Sequence, residues 1–335
     1  MNPPESIDRQ PELVCPAGTP ASLRAAVEAG GDVVYLGFRD ATNARNFPGL
    51  NFSREELAEG IDYAHSRGAK VYLAVNTFPE AGNPEPWRRA VDDGASLGVD
   101  ALILADIGLI DYAARTHPDV RRHLSVQASA ASVEAISLFH EAFGIARVVL
   151  PRVLTVAEIA RINQAVDVET EVFAFGGMCP MAEGRCLLSS YVTGESPNRN
   201  GACSPAAHVR YETRGDDLVS RLGGFTINRF GPDEPAGYPT LCKGRFVAHG
   251  RPGYLFEDPV SLSTFELLPE LIAAGIAGLK IEGRQRGRAY VAKVVAAYRA
   301  ALDACARGEP PPLAPLRSIA EGQSDTEGAY RRAWR

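Results

Sequence analysis

The chain has 335 residues, of which 45% are hydrophobic and 23% are charged. This composition is typical of a folded globular protein and excludes a disordered or collagen-like chain. The net charge of −6 argues against a domain whose main task is to neutralise nucleic-acid phosphates. No apolar run reaches the roughly 20 residues that span a bilayer, and the first residues lack the layout of a secretory signal, so a cytoplasmic location is expected.

Short β-branched segments alternate with amphipathic segments along the chain, in the order strand then helix. The predicted strands are 13–16, 33–37, 70–75, 101–104, 123–127, 147–151, 171–176 and 278–283. The strands lack polar alternation, which is typical of parallel strands covered on both faces. Eight such units predict an α/β fold, a TIM-type (β/α)8 barrel over residues 12–308. An open nucleotide-binding sheet would need a glycine-rich turn after the first strand, and the turn at 15–20 has one glycine.

The regular spacing breaks between the seventh and eighth strands. Residues 177–264 are rich in Gly, Pro and Asn and contain four of the six cysteines. A connection of this length exceeds what one helix and two loops require, so it predicts an insertion at the carboxyl ends of the strands. After the last helix, three consecutive prolines and a polar sequence predict a flexible tail over 309–335.

The insertion places Cys179, Cys186, Cys203 and Cys242 in one irregular segment. Cytosolic thiols are kept reduced, so these are better interpreted as ligands than as disulfides. Thiolates favour zinc, Cu(I) or iron–sulfur clusters. Structural zinc ligands usually lie two to four residues apart, and these four cysteines do not. The residues alone leave three possibilities: an iron–sulfur cluster, a zinc site that includes His208 or His249, and unligated thiols.

The segment 171–189, EVFAFGGMCPMAEGRCLLS, closely resembles the signature of the peptidase U32 family and departs from it at Gly177. The phrases Cys15-Pro-Ala-Gly18, Asn43-Ala-Arg45, Cys203-Ser-Pro205 and Lys280-Ile-Glu-Gly-Arg284 also resemble this family. The resemblance covers residues 12 to about 305. The spacing of the four cysteines is most similar to the ubiquinone-biosynthesis branch of the family, the UbiU branch.

This resemblance implies an eight-stranded barrel that carries a [4Fe-4S] cluster on Cys179, Cys186, Cys203 and Cys242. It also implies oxygen-independent hydroxylation of the aromatic ring of a ubiquinone precursor, in a heterodimer with a UbiV-like iron–sulfur protein. A UbiT-like lipid-carrier protein is a further implied partner, and prephenate is the implied hydroxyl donor. Other members of the family hydroxylate bases of tRNA or ribosomal RNA. Those relatives are longer, and this chain is acidic. We therefore favour the ubiquinone branch over the RNA-modifying members, and we do not expect a nucleic-acid partner.

The family name also suggests a peptidase. The motif Gly94-Ala-Ser-Leu-Gly98 matches the nucleophile-elbow pattern, but it is predicted to end a helix, which is the reverse of the required strand–turn–helix context. No His-Glu-x-x-His motif is present. A non-catalytic alternative is an electron-carrying or scaffolding subunit whose partner holds the active site.

Barrel enzymes place their chemistry at the carboxyl ends of the strands. Arg45, Arg152 and Arg284 follow three of these ends and form a hypothetical clamp for a dicarboxylate, since guanidinium groups bind carboxylates through paired hydrogen bonds. The alternative for each arginine is a salt bridge that joins two loops. Cys15 ends the first strand and is interpreted either as a substrate contact or as a buried thiol. The sequence does not identify the catalytic residues.

Overall fold

The computed structural model describes residues 10–312, 316–321 and 324–331. Its central feature is a closed barrel of eight parallel strands, in which the first strand pairs with the second and with the last, and the last also pairs with the seventh. The barrel strands are β1 (Glu12–Pro16), β2 (Val33–Leu36), β3 (Lys70–Val75), β4 (Ala101–Leu104), β5 (Arg121–Leu124), β6 (Arg147–Val149), β7 (Glu169–Gly177) and β14 (Gly278–Ile281). The predicted (β/α)8 barrel is confirmed.

Helices cover the outside of the barrel. They are α1 (Pro20–Glu28), α2 (Arg54–His65), α3 (Glu85–Leu97), α4 (Ile107–Thr116), α5 (Val133–Phe143), α6 (Val156–Ala165), α9 (Leu268–Ala273) and α10 (Arg288–Ala306), with α7 (Leu188–Thr193) and α8 (Pro197–Asn200) inside the insertion. Ser53 and Glu56 form a capping box that fixes the start of α2, and Thr155 and Glu158 form another at α6. None of the described helices has both the length and the hydrophobicity needed to cross a membrane.

The floor of the barrel is polar. Lys280 Nζ donates to Glu171 Oε1 at 2.7 Å, and Arg147 Nη2 donates to Glu12 Oε2 at 2.7 Å. Above this layer, the Tyr35 ring lies 3.9 Å from Lys280 Nζ. Buried charges are tolerated only when they are paired, and the strand register supplies these pairs. The predicted strand 171–176 missed the first two residues of β7, because the charged Glu169 does not resemble a strand core.

The insertion contains more regular structure than its composition predicted. Its three-stranded antiparallel sheet consists of β8 (Val209–Arg214), β9 (Asp217–Leu222) and β10 (Phe225–Phe230), and it is followed by the hairpin of β11 (Arg245–Ala248) and β12 (Arg251–Tyr254). The insertion returns to the barrel through β13 (Ser261–Ser263), which pairs antiparallel with β7. Tight glycine turns separate these short strands, and the glycines hid the strands from sequence inspection.

Residues 316–321 and 324–331 differ from the expected flexible tail, whereas residues 309–312 are mostly exposed and lie outside any helix or strand. Its strand β15 (Asp325–Thr326) pairs parallel with β13. Tyr330 is buried, and its hydroxyl donates to the carbonyl of Phe173 at 2.9 Å. Leu316 and Ala329 are also buried. Burial of these apolar side chains holds the segment on the barrel, while residues 313–315, 322–323 and 332–335 of the predicted tail lie outside the described residues.

Candidate functional site

The four cysteines of the insertion lie at the carboxyl ends of the barrel strands. Cys179 follows β7, Cys186 precedes α7, Cys203 follows α8 and Cys242 precedes β11. All four are free thiols. Ser189 Oγ in α7 donates to the carbonyl of Cys203, which links the second and third cysteine segments.

Burial raises the pKa values of three of these four thiols. Burial raises the pKa of Cys203, and the charge of Cys186 adds to this increase. Burial likewise raises the pKa values of Cys179 and Cys242, and Cys203 contributes to both increases. Cys203 therefore lies within electrostatic range of the other three cysteines.

Nearby polar groups suit a ligand on these sulfurs. The positive charge of Arg152 acts to lower the pKa of Cys179, against the effect of burial. The charge of Lys243 acts in the same way on Cys203 and Cys242. Cations are therefore available to stabilise thiolates at these positions. The buried hydroxyl oxygens of Ser190 and Ser204 have no hydrogen-bond partner in the described part of the chain. Buried hydroxyls normally have partners, and these two lie next to ligand segments. The residues therefore fit an iron–sulfur cluster, whose sulfurs accept such bonds.

A single-ion site has less support. Within residues 10–312, 316–321 and 324–331, no three His, Cys, Asp or Glu side chains are arranged to hold one metal ion. His208 Nε2 lies 3.0 Å from Glu195 Oε1, and His249 is exposed in the turn between β11 and β12. The described contacts thus place neither histidine of the zinc alternative among the cysteines.

Two glycines allow the cysteine segments to lie close to the barrel. Gly184 has a φ of +82°, and a Cβ there would be 2.0 Å from the carbonyl oxygen of Gln127. Gly201 has a φ of +70°, and a Cβ there would be 1.5 Å from the carbonyl oxygen of Ala44. Only glycine combines this backbone conformation with such close contact. Gly184, which lies in the segment that resembles the family signature, therefore has a structural role next to Cys186.

An ion-pair network lies next to the cysteines. Arg152 Nη2 donates to Glu282 Oε2 at 2.6 Å, and Arg152 Nη1 donates to Glu183 Oε1. Arg45 Nη2 donates to Glu282 Oε1 at 3.1 Å. Burial would raise the pKa of Glu282, but the charges of Arg152 and Arg45 outweigh burial and lower it. Two of the three arginines predicted as a clamp thus have carboxylate partners within the protein.

Arg284 is different from the other two arginines. Only 5% of the residue is exposed, and its Nη1 donates to Asn43 Oδ1 at 3.1 Å. It makes no ion pair within the described residues. Burial lowers the pKa of Arg284 to about 10. A buried guanidinium without a carboxylate partner is costly, and such a group is expected where an anionic ligand supplies the missing charge.

Two further residues of the site, Glu183 and Lys243, were not predicted from the sequence. Glu183 lies between the first two cysteines, and its Oε2 is buried without a hydrogen-bond partner among the described residues. Lys243 is buried and pairs with Glu321 of the C-terminal segment. Glu183 could have been suspected from its position in the signature. No local signal identifies Lys243, because its partner lies 78 positions away in the sequence.

Three further residues have structural roles. Asp106 caps α4 by accepting a hydrogen bond from the Leu109 amide at 2.9 Å. Ser96 lies within α3, which agrees with the helical context predicted for the Gly94–Gly98 motif. Cys15 is fully buried, and its sulfur is 3.5 Å from the carbonyl oxygen of Leu13. The burial of Cys15 fits the interpretation of a structural thiol.

Comparisons with known proteins agree with the signature. The profile described as Peptidase family U32 matches residues 18–332. The chain is 35% identical over 345 residues to tRNA hydroxylation protein P of Escherichia coli, covering 96% of this chain and 75% of the relative. It is 34% identical over 315 residues to tRNA hydroxylation protein P1 of Bacillus subtilis, covering 92% and 67%. It is 32% identical to the 23S rRNA 5-hydroxycytidine C2501 synthase of Escherichia coli, covering 88% and 39%. The chain therefore belongs to the peptidase U32 family.

Proposed function

We propose that this protein hydroxylates a base of tRNA in an oxygen-independent reaction. The observation that carries the proposal is the match over 96% of the chain to a relative named tRNA hydroxylation protein P. The second relative with the same kind of name matches over 92% of the chain. These matches favour RNA over the ubiquinone precursor expected from the cysteine spacing.

We further propose that Cys179, Cys186, Cys203 and Cys242 hold a [4Fe-4S] cluster. The support is the electrostatic coupling of the four thiols, the cations beside them and the unpartnered hydroxyls of Ser190 and Ser204. When bound through four thiolates, such a cluster has no open iron position and supplies electron transfer or structural support.

Arg284 is the proposed contact for a carboxylate of the hydroxyl donor. Arg45, Arg152 and Arg284 face two carboxylates, Glu183 and Glu282, so three positive groups oppose at most two negative ones. The group therefore retains a positive charge that a carboxylate can neutralise. Prephenate, the donor implied by the family resemblance, is a dicarboxylate and suits this charge.

The network also joins the insertion to the barrel. Arg152 joins the end of β6 to Glu282 after β14 and to Glu183 in the insertion. Arg45 joins the end of β2 to Glu282 and to the carbonyl of Gly201. These bonds hold the insertion over the barrel mouth, where exclusion of water strengthens every electrostatic contact.

The test is a deletion strain whose tRNA nucleosides are measured by mass spectrometry. The proposal predicts the loss of a nucleoside heavier by one oxygen atom, restored by the wild-type gene and by Cys305→Ser but not by Cys203→Ser. Cys305 is the matched control because it lies in α10, outside the cysteine cluster. Unchanged hydroxylated nucleosides in the deletion strain would overturn the proposal.

A second candidate function is ring hydroxylation of a ubiquinone precursor with UbiV-like and UbiT-like partners. The net charge of −6 and the cysteine spacing favour it. Quinone analysis of the same deletion strain, grown without oxygen, separates the two functions. Loss of ubiquinone with normal tRNA would select this candidate, whereas normal ubiquinone with altered tRNA would reject it.

A further inference from the structure

The segment that follows the last barrel strand is strongly basic. Residues 283–302 contain five cationic side chains and no acidic one, although the whole chain has a charge of −6. The five are Arg284, Arg286, Arg288, Lys293 and Arg299. Arg284 is only 5% exposed, and Arg299 has an ion-pair partner. The exposed cations that lie nearest to the end of the barrel strand are therefore Arg286 and Arg288.

These two arginines belong to the loop that leads from β14 into α10, at the carboxyl ends of the barrel strands. The Arg286 amide donates to the carbonyl of Gly283 at 2.8 Å, so the loop turns tightly. The Arg286 guanidinium lies 5.2 Å from the centroid of the Tyr290 ring. The turn and the ring contact hold the Arg286 side chain four positions after Glu282 of the ion-pair network. The two arginines thus lie beside the barrel mouth, where barrel enzymes bind their substrates.

No carboxylate balances these arginines in the described structure. Within the part of the chain that the structure describes, neither Arg286 nor Arg288 forms an ion pair, and neither does Arg284. The first turn of α10, which begins at Arg288, contains no acidic residue. Because a helix N-terminus carries a partial positive charge, α10 adds to the charge of the arginines. Three cations within five residues therefore repel one another in the free protein, and an external anion would relieve the repulsion.

The exposure of Arg286 and Arg288 indicates what kind of anion they bind. Arg284 is 5% exposed and suits a small carboxylate inside the barrel mouth, whereas the other two arginines are exposed. A base that enters an active-site pocket leaves its backbone phosphates outside that pocket. Arginines bind such phosphates without reading the sequence, and these contacts fix the position of the strand. Two exposed arginines beside the mouth therefore fit the phosphates of RNA.

We propose that Arg286 and Arg288, termed the rim arginines, bind backbone phosphates of the tRNA next to the base that is modified. Each rim arginine neutralises one phosphate and positions the strand. The inference rests on the proposed action on tRNA. It adds the residues that hold the strand, which the relatives' names do not describe.

The experiment measures binding of fluorescently labelled, unmodified tRNA transcripts to the full-length protein, purified anaerobically, at several salt concentrations. Arg286→Ala/Arg288→Ala should weaken binding and reduce the slope of log affinity against log salt by about one per arginine, because fewer counterions are released from the RNA. Arg286→Lys/Arg288→Lys should keep the wild-type slope, since lysine also neutralises a phosphate.

Arg67→Ala/Arg161→Ala is the matched control. It removes the same charge, from two exposed arginines that also lack ion pairs among the described residues. Arg67 follows the C-terminal end of α2, away from the barrel mouth, and Arg161 lies in α6. This variant should keep the wild-type slope. Circular dichroism and iron content, unchanged in all variants, show that a loss of binding is not a loss of folding.

The outcomes separate this inference from the proposed function. If the wild-type protein binds and hydroxylates tRNA while Arg286→Ala/Arg288→Ala binds like the control, the rim arginines are refuted and the function stands. If that variant keeps tRNA binding but loses binding of inorganic phosphate in phosphorus NMR, the loop is a small-anion site and the inference is wrong. An equal loss of affinity in the control would show that net charge, and not the loop, binds the RNA. If the wild-type protein binds no tRNA and the deletion strain has normal tRNA, both proposals fail.

Discussion

Glu282 Oε2 accepts a hydrogen bond from Arg152 Nη2 at 2.6 Å, which joins the end of the eighth barrel strand to the end of the sixth. The other oxygen of Glu282 accepts from Arg45, so one carboxylate balances two guanidinium groups. Glu282 therefore links the loops that follow three barrel strands, and its charge also acts on Cys203.

Glu282→Gln should destabilise the protein by about 2–4 kcal/mol at pH 7, because two largely buried arginines lose their shared counter-charge. The pKa of Glu282 is lowered by folding, so its stabilising contribution is present above the ordinary value of 4.5 and is lost as the pH falls. Urea unfolding checks both points. The difference in unfolding free energy between the variant and the wild type should decrease below pH 4.5. Glu59→Gln, on the exposed face of α2, is the control. An equal effect from both variants would contradict the prediction.

Arg284→Gln should abolish hydroxylation without lowering stability. The substitution removes a buried charge that has no ion-pair partner in the described structure, so the unfolding temperature should stay constant or rise. Activity should fall at least 100-fold if Arg284 holds the donor carboxylate, since a lost charge-assisted contact of this kind is worth about 3 kcal/mol. Thermal unfolding and nucleoside mass spectrometry are the two measurements. A destabilised but active variant would show that Arg284 is structural.

His123 should make stability depend on pH near neutrality. Its side chain is buried in the barrel floor, where burial and the charges of Arg147 and Arg121 lower its pKa well below 6.5. The unfolded chain therefore binds the proton first, and stability present above pH 6.5 decreases as the pH falls. His123→Phe, which keeps a ring against Tyr72, should flatten the decrease in unfolding free energy between pH 7 and about 5.5. The exposed His249→Gln is the control, and an unchanged slope in His123→Phe would reject the assignment.

The C-terminal segment should stabilise the cysteine site. Glu321→Gln leaves the buried Lys243, next to Cys242, without its carboxylate partner. A broken buried pair costs about 3–5 kcal/mol, and part of this cost should appear as local loosening of the fourth cysteine segment. Hydrogen exchange at residues 240–245 should increase in this variant and not in Glu309→Gln, whose partner Arg307 is exposed. Equal hydrogen exchange in the two variants would show that the C-terminal segment does not stabilise the cysteine site.

The barrel could be predicted from the sequence because its strands are short, apolar and evenly spaced. Val33–Leu36 and Ala101–Leu104, for example, are buried along their whole length and appear as apolar runs in the sequence. The β8–β9–β10 sheet could not be predicted, since its outer face is charged and its turns contain glycine. The packed C-terminal segment escaped prediction because its burial depends on the distant strand β13.

The candidate site was predictable only in part. The cysteines could be identified because their residue type restricts the chemistry, and the arginines because they follow strand ends. A salt bridge was one of two alternatives for Arg152, but its partners Glu183 and Glu282 were not predicted, since no local pattern encodes contacts over 31 and 130 positions. The sequence did not show that Arg284, unlike Arg45 and Arg152, lacks a carboxylate partner among the described residues.

Iron and acid-labile sulfide analysis of anaerobically purified protein shows whether the four cysteines hold one cluster. We expect about four iron and four sulfide per chain with absorption near 400 nm, lost in Cys203→Ser and retained in Cys305→Ser. Stoichiometric zinc, or protein without iron and without that absorption, would contradict it.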